Sequence, residues 1–381
     1  MPRNVLDALR HPDRLCNIDL NVTSSMTGLI VEAVQKPCQV LEGIRITVND
    51  AEGPSNLVRT GFLGGSAPHL REIRLDGIAF LFSAIRQVLL STNNLVELNL
   101  SKIPNDFYFS PDDLVTALSP LVQLKRLTVG FYSPDSRPPP SMTRPCHQRV
   151  SLPSLAFLVF YGTSEYIEEF LARIDLHALS TIRIKLFNDI FFGIPQFCEF
   201  VTRLNQPRSP TSASITLELF NSDIVRVVFI HKTNLGNDSN EYYAQDYARR
   251  YTLETSCIPF DWKLSFLTQI TSQLSPLLSI VNELTIQAGS SLKVPTREED
   301  ADSTQWLELF QPFTHVTKVI VWETKVVPGI MQALLMEDAA GVLPELTTLY
   351  LSGDLRIPFV AKAVEQFVAT RRLSGRTVYV I

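Results

Sequence analysis

The sequence predicts an α/β fold made of repeated strand–helix units, stacked as a solenoid with a curved parallel sheet on its concave side and helices on its convex side. Three observations predict this architecture. A short motif with strand character recurs along the chain, and helical patterns separate its copies. The composition, 45% hydrophobic and 19% charged, is also apolar enough to bury a continuous core.

The recurring motif has apolar residues at its first, fourth and sixth positions. In NNLVELNLSKI (93–103) these are Leu95, Leu98 and Leu100, a spacing that fits neither a regular helix nor a simple strand. Ten copies occur at 14–20, 40–46, 69–75, 94–100, 123–129, 154–160, 178–184, 280–286, 315–321 and 345–351, with a degenerate copy at 214–220. Within each run the copies recur about every 24–35 residues, an interval typical of structural repeats.

Helical patterns lie between the copies, as repeated strand–helix units require. They cover 24–36, 80–91, 111–121, 164–174, 194–204, 266–274 and 360–373. Ser110, Pro111 and the following two aspartates form a helix start signal. A single unit cannot bury its own apolar side, so stacked units share one core. Because helices are wider than the ~4.8 Å strand spacing, the array should curve, with about eleven or twelve repeats and a final strand at 376–381.

Two segments interrupt the pattern within a single array that spans 1–381. Residues 133–150 are rich in proline and predict an extended loop, with a docking site for a proline-binding domain as the alternative. Residues 223–257 predict a hairpin-like insertion, in which strands 224–230 and 251–257 pair and the polar segment 232–250 forms a mobile loop.

The LxxLxL strands with their period of about 25–30 residues resemble the leucine-rich-repeat family over nearly the whole chain. Within it, ALRHPDRLCNIDL (8–20) and LPSLAFLVFYG (152–162) are similar to the repeats of basidiomycete-type F-box proteins. The resemblance implies a leucine-rich-repeat solenoid. In that family an F-box docks on a cullin ubiquitin-ligase adaptor and the repeats hold a substrate. Few residues precede the first predicted strand, so we expect the F-box itself to be absent. The Asn or Cys common at the ninth position of such repeats is present only as Asn49.

Several function classes find no support in the sequence. Five scattered cysteines form no CxxC pair, no histidine has metal-ligand spacing, and no phosphate-binding or nucleophile motif occurs. We therefore expect no catalytic residues, no cofactor, no metal and no enzyme, and we expect the cysteines to be small core residues. A net charge of −5 argues against nucleic-acid binding, and no apolar run is long enough for a membrane span. With no signal peptide evident, an intracellular location, cytoplasmic or nuclear, is expected.

The candidate binding residues lie between the core positions of the strands. The third and fifth positions of each motif should face away from the core onto the concave surface. The predicted partner-binding residues are Arg45, Arg74, Glu97, Asn99, Arg126, Phe157, Val159 and Arg183. Arginine and aromatic side chains often dominate protein interfaces. Two alternatives remain open: the arginines pair within the sheet, as Arg74 could with Glu72 or Glu97, and the 133–150 loop covers Phe157.

These observations predict a protein–protein interaction module. The resemblance makes it a substrate-recognition module of an F-box-type ubiquitin ligase, with a cullin link only if an F-box exists upstream. A stand-alone leucine-rich-repeat scaffold is the alternative, and an unrecognised enzyme is the third.

Overall fold

The computed structural model has an α/β fold with long runs of parallel strands and a layer of helices. It describes residues 3–49, 57–58, 61–132, 149–187, 193–205, 212–219, 224–232, 249–256, 260–289, 303–322, 326–336, 341–352 and 358–381. The internal contacts divide the chain into two compact units, Met1–Phe187 and Asn188–Ile381, where the sequence predicts a single array. Each unit is therefore described by itself.

The first unit contains seven parallel strands joined by helices and short turns. Its strands are β1 (Asn17–Val22), β2 (Gly43–Val48), β3 (Leu57–Val58), β4 (Glu72–Asp76), β5 (Ala79–Phe80), β6 (Glu97–Ile103), β7 (Arg126–Phe131), β8 (Val150–Ser151), β9 (Phe157–Gly162), β10 (Ile174–Asp175) and β11 (Thr181–Leu186). Its helices are α1 (Arg3–Leu9), α2 (Ser24–Ala33), α3 (Phe82–Ser91), α4 (Pro111–Leu118) and α5 (Ser164–Arg173). The main sheet has the order β1-β2-β4-β6-β7-β9-β11, while β3 pairs with β5 and β8 with β10.

The apolar positions of the repeated motif form the core of this unit. Leu95, Leu98 and Leu100 are all 0% exposed, and the equivalent residues of the other copies are buried from β2 to β11. The first copy differs, because Leu15 and Leu20 are only half-buried. Within the unit β1 is an edge strand with a neighbour on one side only, which leaves these two leucines partly uncovered.

Two helix starts show how local chemistry sets the boundaries. The hydroxyl of Ser110 accepts a hydrogen bond from the backbone N–H of Asp113 at 3.1 Å, so the predicted cap of α4 is confirmed. Helix α3 begins at Phe82 rather than at residue 80, because Ala79 and Phe80 pair with Leu57 and Val58 as a short strand.

The second unit mixes antiparallel and parallel strands. Its elements are α6 (Pro195–Asn205), β12 (Ser212–Leu219), β13 (Ile224–Lys232), β14 (Arg249–Ser256), α7 (Phe260–Gln273), α8 (Ser275–Leu278), β15 (Val281–Ala288), α9 (Ser303–Phe310), β16 (Lys318–Trp322), α10 (Val327–Leu335), β17 (Thr348–Ser352), α11 (Pro358–Leu373) and β18 (Tyr379–Val380). The strand order is β14-β13-β12-β15-β16-β17-β18.

The hairpin region differs from a simple insertion into a parallel sheet. Strands β13 and β14 pair antiparallel, with Ile224 opposite Ser256. The degenerate motif copy forms β12, which is antiparallel to β13 and parallel to β15. The expectation of a wholly parallel sheet is thus wrong here, because β13 returns along β12 and reverses the direction once. Residues 133–148 and 233–248 of the two predicted loops lie outside the described residues.

The apolar segments of the described part are core strands and short helices. Where the structure describes the chain, none of its helices combines the length and the apolarity that crossing a bilayer requires.

Candidate binding face on the sheet of the first unit

The face of the first sheet that points away from its core carries the candidate site. Successive residues of a strand point to opposite faces, so the positions between the buried apolar residues share this outward face. Register then places them in rows across neighbouring strands: Glu72 is opposite Glu97, and Glu97 is opposite Arg126. Phe157 follows in the same row on β9. We call this surface the outward face.

An ion-pair ladder starts at the β1 edge of the outward face. Arg45 donates hydrogen bonds to Glu72 from Nε to Oε1 at 2.6 Å and from Nη2 to Oε2 at 2.7 Å, a two-pronged pair between neighbouring strands. Its Nη1 lies 3.7 Å from Oδ2 of Asp19 on the other side. The hydrogen bond from Arg45, together with the charges of Arg45 and Arg74, holds the pKa of Glu72 below its ordinary value, although partial burial opposes this. The same hydrogen bond raises the pKa of Arg45.

The ladder continues over the next two strands. Nε of Arg74 lies 2.6 Å from Oε1 of Glu72, and its Nη2 lies 2.8 Å from Oε1 of Glu97. The other oxygen of Glu97 lies 3.7 Å from Nη1 of Arg126. Three carboxylates therefore alternate with three arginines across five strands, and their formal charges balance. We call these six residues, Asp19 to Arg126, the ladder.

The ladder ends at an aromatic group. The guanidinium carbon of Arg126 lies 5.2 Å from the ring centroid of Phe157, within the range of a cation–π contact. Phe157 is 38% exposed, and its strand neighbour Val159 is half-buried on the same face. Gly130 makes room for Tyr161 beside them, since a Cβ atom at Gly130 would lie 2.8 Å from Cδ2 of that ring. We call Phe157, Val159 and Tyr161 the aromatic patch.

The structure brings most of the predicted residues onto one surface but divides them by environment. Arg45 and Arg74 match the interpretation in which arginines pair within the sheet, and Glu97 binds two of them. Asn99 accepts a hydrogen bond from the Ser101 hydroxyl at 2.6 Å. Arg183 is exposed on β11, in register with Val159. All eight predicted residues thus lie on the outward face, as strand alternation requires.

Sequence reasoning did not select four further residues of this face: Asp19, Glu72, Gly130 and Tyr161. Asp19 and Glu72 occupy the fifth and third motif positions, so the repeat alignment already placed them in the rows. Gly130 and Tyr161 occupy the seventh position, which alternation also assigns to the outward face. The covering of Phe157 by the 133–150 loop concerns residues that are mostly outside the described part of the chain.

The second unit carries a separate polar cluster that is largely buried. Arg226 on β13 lies between Glu218 on β12, at 2.6 Å, and Glu254 on β14, at 2.9 Å. The side chain of Glu254 is only 2% exposed. Burial acts to lower the pKa of Arg226, but the hydrogen bond to Glu254 and the charges of both carboxylates raise it overall. This cluster joins three antiparallel strands across one face, a structural role for buried charges that are paired.

An exposed aromatic pair lies further along the second sheet. The rings of Trp322 and Tyr350 are 5.9 Å apart, and Trp322 is 44% exposed. Ile320, directly opposite Tyr350 in register, shares this face. The motif alignment places Ile320 and Tyr350 at the fifth position, and Trp322 at the seventh, so all three were accessible to the sequence argument although it did not select them.

The described residues offer little reactive chemistry. Within those ranges no group of three or more His, Cys, Asp or Glu side chains is placed to hold a metal ion. Cys38 is buried, and burial raises the pKa of its thiol to about 11, which keeps it protonated and unreactive. The expectation that the cysteines are core residues fits Cys38 but is wrong for Cys16, which is exposed because it precedes the edge strand β1.

Comparison with known proteins gives one weak structural likeness. No family model matches the chain, and no curated protein matches it. The crystal structure of the leucine-rich repeat-containing protein LegL7 from Legionella pneumophila is similar to this chain at 13% sequence identity and a TM-score of 0.31. The alignment covers 96% of this chain and 98% of that chain.

Proposed function

We propose that this chain is a protein-binding module that uses the aromatic patch and the adjoining ladder of the first unit. The observation that carries the proposal is the exposed Phe157 with Arg126 stacked over its ring. Large aromatic side chains and arginines supply a disproportionate share of binding energy at protein interfaces. A phenylalanine on the polar face of a sheet costs solvation unless a partner covers it.

The ladder supports this proposal by giving the aromatic patch a fixed surround. Arg45 and Arg74 are held by carboxylates on both sides, so their side chains are already ordered before a partner arrives. Binding to ordered side chains avoids part of the entropy cost of association. Because the charges of the ladder balance, it favours no strongly charged partner. We therefore expect the partner to present an apolar or aromatic group to Phe157, with a carboxylate or carbonyl near Arg126.

The finer form of the proposal concerns the repeat family and its cellular role. The motif spacing supports leucine-rich repeats in a curved solenoid, and the resemblance of 8–20 and 152–162 supports substrate recognition for an F-box-type ubiquitin ligase. A stand-alone scaffold is the second candidate, and the absence of any matching family model favours it over the ligase role. If cullin subunits never co-purify with the chain or with a longer natural form of it, the ligase role fails and the scaffold remains.

We also propose that the chain binds its partner without chemistry of its own. The exposed polar groups of the outward face are ion-paired side chains, an arrangement suited to holding a surface rather than to moving protons. An enzyme would need a pocket in which titratable groups converge on a reacting atom. A screen that found turnover abolished by a substitution outside the outward face would support the enzyme alternative instead.

The decisive experiment is quantitative affinity capture from cell extract with matched variants. Phe157→Ala and Arg126→Ala remove the two halves of the cation–π contact, and each should reduce capture of the main partner at least about tenfold. Val122→Ala is the matched control, because Val122 is 47% exposed but lies outside the strands that form the outward face. Capture that is equal for all three variants would assign the partner to another surface.

A further inference from the structure

The last helix and strand of the second unit form an edge that is unusually apolar. Leu373 is 90% exposed, Tyr379 is 66% exposed and Ile381 is 65% exposed. Between α11 and β18 runs an open cleft of about 910 Å³, whose walls include Val364, Val368, Ala369 and Val380. Terminal units of stacked repeats normally carry a polar outer face, because nothing else shields them from water. This edge lacks such a face.

The strand at this edge is also ready to accept another strand. The N–H groups of Tyr379 and Ile381 donate to the carbonyls of Thr347 and Leu349 on the β17 side, at 2.8 and 3.0 Å. Backbone groups of successive residues alternate sides, so the N–H and C=O of Val380 face away from β17. Among the described residues β17 is the only strand that pairs with β18. An unpaired edge beside exposed apolar residues is a template for strand addition.

The charges on α11 indicate which occupant fits. Glu365 and Arg372 line the same cleft, seven residues and about 10 Å apart along one helix face. An antiparallel copy of the same helix, centred between Val368 and Ala369, would place Glu365 opposite Arg372 of the second copy, and Arg372 opposite Glu365. The same symmetry would place the exposed Leu373 opposite Val364 of the second copy. The edge is therefore complementary to itself in both charge and apolarity.

The strand obeys the same symmetry. An antiparallel pair of β18 strands centred on Tyr379 would join the outward backbone groups of Val378 and Val380 to those of the second copy. It would also bring the two Tyr379 rings together, an aromatic cross-strand pair. Because Val368, Ala369, Tyr379 and Val380 all line one cleft, the helix centre and the strand centre lie at the same level. One two-fold axis can therefore serve both elements.

We propose that this edge is the interface between two copies of the chain, joined about a two-fold axis with α11 packed against α11 and β18 paired with β18. Such an interface is isologous: each residue pair occurs twice, once in each direction. The proposal goes beyond the binding function assigned to the first unit and does not rest on it. It assigns the aromatic patch and the C-terminal edge to different partners.

The test is a charge-swap experiment on the full chain, read by sedimentation velocity over a dilution series. The wild type should show a reversible monomer–dimer equilibrium. Glu365→Arg alone places two arginine pairs across the axis, and Arg372→Glu alone places two glutamate pairs there, so each should raise the dimer dissociation constant by about tenfold or more. The double variant restores both pairs and should return to the wild-type constant.

Mixing the two single variants gives the sharpest readout. A chain with Arg at both positions complements a chain with Glu at both, so an equimolar mixture should form heterodimers more tightly than either variant forms homodimers. Glu308→Arg on the exposed face of α9 is the matched control and should leave the equilibrium unchanged. A wild type that stays monomeric at every concentration overturns the proposal, and so does a dimer indifferent to both single reversals, which would place the interface elsewhere. Capture of a different polypeptide by the monomeric chain at Leu373 and Tyr379 would overturn the self-association in favour of another occupant.

Discussion

Arg45 and Glu72 form a two-pronged hydrogen-bonded pair across neighbouring strands, with N–O distances of 2.6 and 2.7 Å. This pair holds the pKa of Glu72 below the ordinary value for glutamate, about 4.3 in unstructured peptides. Because the folded-state pKa is the lower one, the pair stabilises the fold above the unfolded-state value. That contribution is lost as the pH falls through the folded-state pKa.

We therefore predict that carbon-detected NMR will find Glu72 titrating below the ordinary range in the wild type. Arg45→Gln removes the largest cause of the shift, so the Glu72 pKa should rise toward the ordinary value. Lys125→Gln is the matched control, since Lys125 is exposed on the turn before β7 and is not part of the ladder. An ordinary Glu72 pKa in both the wild type and Arg45→Gln would show that the pair does not persist in solution.

Arg226 should be the most costly single charge to remove in the second unit. Arg226→Met leaves Glu218 and Glu254 without this cation on a buried face, and breaking such a pair costs about 3 kcal/mol of unfolding free energy. Glu218→Gln should cost only about 1 kcal/mol, because Arg226 keeps Glu254. Denaturant unfolding measures both. Adding Glu218→Gln to Arg226→Met should recover part of the loss, whereas strictly additive losses would contradict carboxylate repulsion as its cause.

The core was predictable from the sequence because it depends on spacing alone. Leu95, Leu98 and Leu100 are buried for a reason visible in seven residues: strand alternation, plus a turn before the strand, brings them to one side. The outward positions of Arg45, Arg74 and Phe157 followed from the same alternation. For these residues local periodicity decides the outcome, and tertiary context only fills in the neighbours.

The ladder and the mixed sheet were not predictable, for a different reason. That Arg45 reaches Glu72 on the next strand, 27 residues away, depends on register between strands, and two carboxylates lay within reach of Arg74 in the alignment. The antiparallel placement of β12 depends on a chain reversal after Leu219, which the motif does not encode. Register and strand direction are settled by long-range pairing, so a single sequence constrains them weakly.

Cysteine reactivity should divide sharply between two described positions. Cys16 is exposed, while Cys38 is buried with a thiol pKa of about 11. Because the thiolate is the reactive form, an alkylating reagent at neutral pH should label Cys16 in the native protein and label Cys38 only after unfolding. Peptide mass spectrometry after a short exposure resolves the two sites. Equal labelling of both in the native state would mean that the segment around Cys38 opens readily, and a Cys16→Ser variant provides the background for that comparison.

His231 should make the second unit sensitive to mild acid. The residue is 4% exposed on β13, and neither ring nitrogen has a hydrogen-bond partner in the structure. Burial lowers the pKa of His231, and the neighbouring charge of Arg249 lowers it further. The unfolded chain therefore binds a proton near the ordinary histidine pKa of about 6.5, while the folded chain does not. Unfolding free energy should fall as the pH drops below that value and should level off below the folded-state pKa.

A variant without a titrating ring isolates this effect from the carboxylates, which protonate at lower pH. His231→Leu keeps an apolar side chain of comparable reach, so its unfolding free energy should change less than that of the wild type between pH 7 and pH 5. His177→Leu is the matched control, because His177 is exposed and should titrate alike in the folded and unfolded chains. Denaturant titrations at several pH values measure the slopes. Parallel slopes for the wild type and His231→Leu would mean that the buried ring gains a proton at no cost, which requires an acceptor or water beside it.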